Sequence, residues 1–89
     1  MDIRRVVGRN VRRYRIETKL SQDGLAACIG VEQRYVSRLE AGKRNPTIVT
    51  IWDAAEALGV CPAALFRAHA QSSKATAKRK KIRKPIIQI

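Results

Sequence analysis

Four polar residues recur along a short predicted helix in the middle of the chain, where they could contact nucleic acid. The four are Gln33, Arg34, Ser37 and Arg38. Glutamine and arginine side chains match the hydrogen-bonding edges of adenine and guanine, and serine can bond to either. Val36, Leu39 and Tyr35 supply the apolar positions of the same segment. The pattern predicts a helix that packs by one face and presents the other to DNA, ending at Gly42.

A second short helix is predicted immediately before this one. Ser21 is a suitable N-cap, because its hydroxyl can accept a hydrogen bond from a free amide of the first turn. Leu25, Ala26 and Ile29 share one face at helical spacing. Gly30 lies where the chain must turn, and glycine tolerates positive φ. Two helices joined by a short turn that contains glycine match the helix-turn-helix signature.

Three further helices are predicted around this pair. The first covers residues 3–18 with Asp2 as its cap, and its apolar stripe is Ile3, Val7, Val11 and Tyr14. The fourth is capped by Thr47 and runs to residue 58. Its predicted core positions are Ile48, Ile51, Ala55 and Leu58, with Trp52 packed against them. Pro62 opens a shorter fifth helix with Leu65 and Phe66 turned inward.

The positive charge is large and uneven. The chain of 89 residues has a formal net charge of +12. Residues 1–73 carry 12 Lys/Arg and 7 Asp/Glu, or +5, whereas residues 74–89 carry 7 Lys/Arg and no acid, or +7. Such an excess of positive charge favours binding to phosphate backbones or other anionic surfaces. We expect a domain at residues 1–70 and a flexible linker with a basic tail at residues 71–89.

Several short motifs occur in a fixed order along residues 7–66. They are LSQ (20–22), LA (25–26), IGV (29–31), YVSRLEAG (35–42), KRNPT (43–47) and ALGV (57–60). As an ordered set they resemble the lambda repressor/Cro-like (XRE) helix-turn-helix family. Lys19 stands where the family has glycine, and Glu32 where the reading helix has a Ser/Thr cap. The resemblance implies an all-α fold, a compact five-helix lambda-repressor-like DNA-binding domain followed by the basic tail.

The resemblance also implies a function and a set of site residues. It implies a transcriptional regulator that binds a palindromic operator in double-stranded DNA as a homodimer, with subunit contacts from residues 60–67. Gln33, Arg34, Ser37 and Arg38 would read bases. Gln22, Lys43, Arg44 and Asn45 would bind phosphates. Arg15 would form an ion pair with Glu40, tying the first helix to the end of the reading helix.

Other classes of function find little support in the residues. Cys28, Cys61 and His69 are too few and too scattered for a zinc site. No pairing of nucleophile and base suggests an enzyme, and no cofactor or small-molecule ligand is expected. We expect a cytoplasmic protein, because neither an export signal nor a transmembrane run is visible. One alternative stays open: an antitoxin or other protein-interaction module whose tail, ending PIIQI, contacts a protein partner.

Overall fold

The structure of the protein, a computed structural model, describes residues 2–68. This part of the chain contains four α-helices and one 3₁₀ helix. The helices are α1 (Ile3–Glu17), α2 (Gln22–Ile29), α3 (Gln33–Glu40), α4 (Ile48–Leu58) and the 3₁₀ helix η1 (Pro62–Phe66). The predicted all-α class is confirmed, although the fifth helix is a 3₁₀ turn rather than an α-helix. The predicted linker and basic tail, residues 71–89, lie outside the described residues.

The predicted N-caps of α1, α2 and α4 are confirmed. In each, a side-chain oxygen accepts from a main-chain N–H of the first turn: Asp2 from Arg4 at 3.1 Å, Ser21 from Gly24 at 2.9 Å and Thr47 from Thr50 at 3.1 Å. Glu32 is the N-cap of α3 and makes no such bond. Gly30 ends α2 with a φ of 87°. Lys19 also takes a positive φ, 62°, which costs a residue with a Cβ about 1–2 kcal/mol.

One apolar core joins all five elements. Val11 of α1, Leu25 of α2, Val36 and Leu39 of α3 and Leu65 of η1 are fully buried in it. The side of α4 that faces this core consists of Ile51, Ala54, Ala55 and Leu58. Because each helix is short, its burial in the shared core supplies most of its stability.

Two residues of α1 that the apolar pattern did not reveal, Gly8 and Asn10, lie in close contact with other elements. A Cβ at Gly8 would lie 2.3 Å from the carbonyl oxygen of Leu39 and 2.9 Å from that of Glu40. Only glycine therefore lets α1 cross the end of α3 at this distance. Asn10 is 2% exposed, and its Nδ2 donates to the carbonyl oxygens of Leu65 (2.9 Å) and Arg67 (2.8 Å). This amide holds the end of η1 against α1.

Four of the predicted core residues are exposed instead: Ile3, Ile48, Trp52 and Phe66. On α4 the reason is the direction of the inward face. With 3.6 residues per turn, Ile48 and Trp52 lie about 70° and 110° from the centre of the face that contacts the core. Ile3 is the first residue of α1 and Phe66 the last of η1, where the helix has less of the core to cover it.

Gly8→Ala should destabilise the domain, although alanine normally favours a helix. The new methyl group would overlap main-chain carbonyls that cannot move without displacing α3, and overpacking of this kind costs about 1–3 kcal/mol. Urea unfolding measures the loss. Gly24→Ala is the matched control, because its Cβ would meet only the side chains of Leu20 and Ser21, at 3.1 and 3.3 Å. Equal effects of the two substitutions would contradict the close approach of α1 and α3.

Candidate nucleic-acid interface

A buried ion pair joins α1 to the last residue of α3. Arg15 Nε lies 2.6 Å from Glu40 Oε2, and its Nη2 lies 3.1 Å from Oε1, so the contact is bidentate. The two side chains are only 12% and 4% exposed. Arg15 Nη1 also donates to the carbonyl oxygen of Leu20 at 2.9 Å. Hydrogen bonding to Glu40 raises the pKa of the Arg15 guanidinium above its ordinary value.

From Glu40 a chain of side-chain hydrogen bonds leads to the surface. Gln22 Nε2 donates to Glu40 Oε1 at 3.1 Å, and Gln33 Nε2 donates to Gln22 Oε1 at 2.6 Å. An ionised carboxylate can only accept, so Glu40 requires the amino group of Gln22 to face it. The oxygen of Gln22 is then left to accept from Gln33. The ion pair thus determines the orientation of both amides.

Gln33 keeps two groups free for a ligand. It is exposed, and the bond to Gln22 uses one of its two N–H donors. Within residues 2–68, neither the other N–H nor the Oε1 of Gln33 has a protein partner. One donor and one acceptor of an anchored amide therefore stay available at the start of α3.

The other predicted base-reading residues lie on the same exposed side of α3. Arg34, Ser37 and Arg38 are exposed, while Val36 and Leu39 on the opposite side are buried. None of the four makes an ion pair to another described residue. The helix thus presents two guanidinium groups, a hydroxyl and an amide along one surface.

The loop after α3 places a further cation beside this surface. The guanidinium of Arg44 lies over the ring of Tyr35, 4.5 Å from its centroid, which is a cation–π contact. Both residues line a surface pocket of about 370 Å³, together with Val31, Glu32, Arg34 and Arg38. Nothing in the sequence predicted this stacking, because it depends on the path of the loop. Lys43 and Asn45 are exposed on either side of Arg44.

The described residues contain little that suggests other chemistry. No group of three or more His, Cys, Asp or Glu side chains among residues 2–68 could hold a metal ion. Cys28 and Cys61 are both free and exposed. None of the helices in this part of the chain is long and apolar enough to span a membrane.

Comparison with known proteins gives consistent matches across this region. The helix-turn-helix family model HTH_3 matches residues 11–66. An uncharacterized HTH-type transcriptional regulator, y4dJ of Sinorhizobium fredii (strain NBRC 101917 / NGR234), is 48% identical over 60 residues, which are 67% of this chain and 78% of that protein.

Two solved structures share the fold over most of the described region. The restriction-modification controller protein C.AhdI from Aeromonas hydrophila superimposes with a TM-score of 0.68 at 36% identity, covering 71% of this chain and 96% of that one. The hypothetical transcription factor NHTF from Neisseria gives a TM-score of 0.75 at 30% identity, covering 85% of each chain.

Glu40→Gln should destabilise the domain by about 3–5 kcal/mol, because it leaves the buried Arg15 guanidinium without its counter-charge. Chemical unfolding measures the change. Glu17→Gln is the control: its partner Arg13 is 3.7 Å away, the Glu17 side chain is 62% exposed, and such surface pairs contribute about 0–1 kcal/mol. The double variant Arg15→Met/Glu40→Leu should be more stable than Glu40→Gln. A loss for Glu40→Gln no larger than that for Glu17→Gln would refute the structural role of the pair.

Proposed function

The chain belongs to the helix-turn-helix family of DNA-binding transcription regulators, and from this we propose that it binds a palindromic operator in double-stranded DNA as a homodimer. The family is one of regulators and not of enzymes. We further infer that it acts in the cytoplasm, where it meets its operator.

The observation that carries the proposal is the anchored amide of Gln33. Its free Oε1 can accept from adenine N6 while its free N–H donates to N7, the bidentate match of glutamine to adenine in the major groove. Because Gln22 already holds the other N–H, less side-chain entropy is lost when DNA binds. We therefore assign adenine recognition to Gln33. Gln22 keeps one N–H of its own for a phosphate oxygen.

Arg34, Ser37 and Arg38 complete the proposed reading surface. Arginine pairs bidentately with O6 and N7 of guanine, and serine can bond to several base edges. The arginines belong to the same exposed helix face as Gln33, so an α-helix in a major groove about 12 Å wide would bring them to neighbouring base pairs. The operator half-site would then contain guanine close to the adenine read by Gln33.

The loop after α3 is the proposed phosphate clamp. Lys43, Arg44 and Asn45 are exposed there in succession, and a cationic or amide donor in such a loop suits phosphate oxygens. Stacking on Tyr35 limits the freedom of the Arg44 guanidinium before binding. Phosphate contacts of this kind position the reading helix without specifying sequence.

The size of the domain is compatible with two copies on one face of DNA. Half-sites one helical turn apart are separated by about 34–36 Å, and the domain measures 38 × 28 × 24 Å. One domain is therefore small enough to occupy a half-site while a second copy occupies the next. The PIIQI segment, on which the alternative of a protein-interaction module depends, lies outside the described residues.

Gln33→Ala and Arg34→Ala should each weaken operator binding by about 1–3 kcal/mol, have little effect on random DNA and relax preference at one base pair of each half-site. Lys43→Ala should weaken all sequences about equally and lower the salt slope by about one unit per site. Titration of operator and scrambled duplexes at several salt concentrations separates the two classes, once selection from random DNA has supplied the operator. If Gln33→Ala and Arg34→Ala both behaved like Lys43→Ala, α3 would not be the reader.

Deletion of residues 74–89 should reduce the salt dependence of DNA binding while preserving operator preference. The segment carries +7, and each phosphate contact that is lost reduces the log–log slope by about 0.9. The same titrations on operator and scrambled duplexes provide the measurement. Loss of specificity with an unchanged slope would identify the tail as a recognition element and would contradict its proposed general electrostatic role.

A further inference from the structure

We propose that the outward face of α4, formed by Ile48, Val49 and Trp52, is the surface that binds a second copy of this chain. The inference deepens the proposed function, since it locates the contact that a homodimer on a palindrome requires. It moves the centre of that contact from residues 60–67, as the family resemblance implies, to the first two turns of α4.

The first observation is that α4 is apolar on two sides. Its inward side, Ile51, Ala54, Ala55 and Leu58, is buried in the core. Ile48, Val49 and Trp52 fall within an arc of about 100° on another side, and they remain 85%, 66% and 53% exposed. A helix that is apolar on more than its core side is normally covered by a neighbour. No element of residues 2–68 covers this one.

The second observation is the distribution of charge along the chain, which indicates that a second copy can cover this face of α4. Two copies of a chain with a net charge of +12 repel each other, so they can associate only where the facing surfaces carry few cations. Residues 45–66 contain no Lys or Arg, and they are the longest stretch of the sequence without one. The stretch contains the acids Asp53 and Glu56. The exposed face of α4 therefore lies in the part of the chain where a second copy meets the least repulsion.

The region expected from the resemblance offers less apolar surface. Ala64 and Leu65 of η1 are buried in the subunit's own core, and Phe66, 48% exposed, is the only large apolar side chain that η1 leaves in contact with solvent. The other large exposed apolar residues, Ile3 and Ile16, lie on the arginine-rich α1. The α4 face thus combines the most exposed apolar side chains with the absence of basic residues.

An isologous contact suits such a patch. In a two-fold dimer the same face of each subunit meets its copy, so a surface of apolar residues is its own complement. Aromatic residues are enriched at the centres of such interfaces and cost the most when truncated. Trp52 lies between Ile48 and Glu56 along the outward side of the helix, and we place it at the centre of the contact.

Trp52 is the only tryptophan of the chain, so it reports directly on its own burial. The full-length protein without DNA is followed by sedimentation equilibrium and by tryptophan fluorescence across the same concentration range. We expect a monomer–dimer equilibrium, with the emission maximum moving to shorter wavelength as the dimer fraction rises. A protein that stays monomeric at the highest concentrations, or a dimer in which the emission remains that of an exposed tryptophan, would overturn the proposal.

Variants separate this face from other exposed apolar residues. Ile48→Ser/Trp52→Ser should raise the dissociation constant of the dimer by about 30-fold or more, as expected for loss of an aromatic anchor. Ile3→Ser/Ile16→Ser is the matched control, because these side chains are 49% and 51% exposed on α1, and it should leave dimerisation unchanged. Circular dichroism checks that both double variants remain folded. Equal dissociation constants for the α4 variant and the wild type would reject this interface.

Failure of this inference can be distinguished from failure of the proposed function. The sedimentation experiment is done without DNA, so its outcome does not depend on operator recognition. If selection from random DNA recovered no sequence preference while the α4 variant still lost dimerisation, the proposed function would fail and this interface would stand. If an operator were found and the α4 variant dimerised normally, only the interface would be wrong.

Discussion

The buried pair of Arg15 and Glu40 is the interaction on which the arrangement of the proposed reading surface depends. One carboxylate accepts from Arg15 Nε, from Arg15 Nη2 and from Gln22 Nε2. Burying two charges brings little net stability, because desolvation offsets much of their attraction. The value of the pair is geometric: it aligns α1, the start of α2 and the end of α3, and through Gln22 it orients the Gln33 amide, which we propose reads adenine.

The close crossing of α1 and α3 makes this geometry possible. Gly8 brings the backbone of α1 against the carbonyls of Leu39 and Glu40, and seven residues later Arg15 reaches the Glu40 side chain. The same helix uses Asn10 to hold the end of η1. Together with α2, α1 therefore connects the proposed reading helix α3 to the rest of the domain, although the exposed face of α1 is mostly arginine.

The sequence was sufficient to predict what is local and insufficient for what depends on contact between distant residues. Caps at Asp2, Ser21 and Thr47 follow from residue type and position, as does the turn at Gly30, and the structure has all four. Apolar periodicity identified α4 and three of its core positions, Ile51, Ala55 and Leu58. It did not show that Ile48 and Trp52 face outward, because α4 is apolar around much of its circumference. Nothing in the sequence predicted the hydrogen bond between Gln22 and Gln33, because it depends on how the first residues of α2 and α3 come together in the fold.

The proposed DNA contacts and the proposed subunit contact lie in different parts of the chain. The Lys and Arg residues of the described domain precede residue 45, apart from Arg67, whereas the exposed apolar face of α4 follows it. In the proposed dimer, repulsion between two basic subunits opposes association, and the phosphates of a bound duplex neutralise part of that charge. DNA would then favour the dimer. By linkage, the dimer would favour DNA by the same free energy. The large positive charge of the chain would make operator binding and subunit association mutually dependent, even though they use different helices.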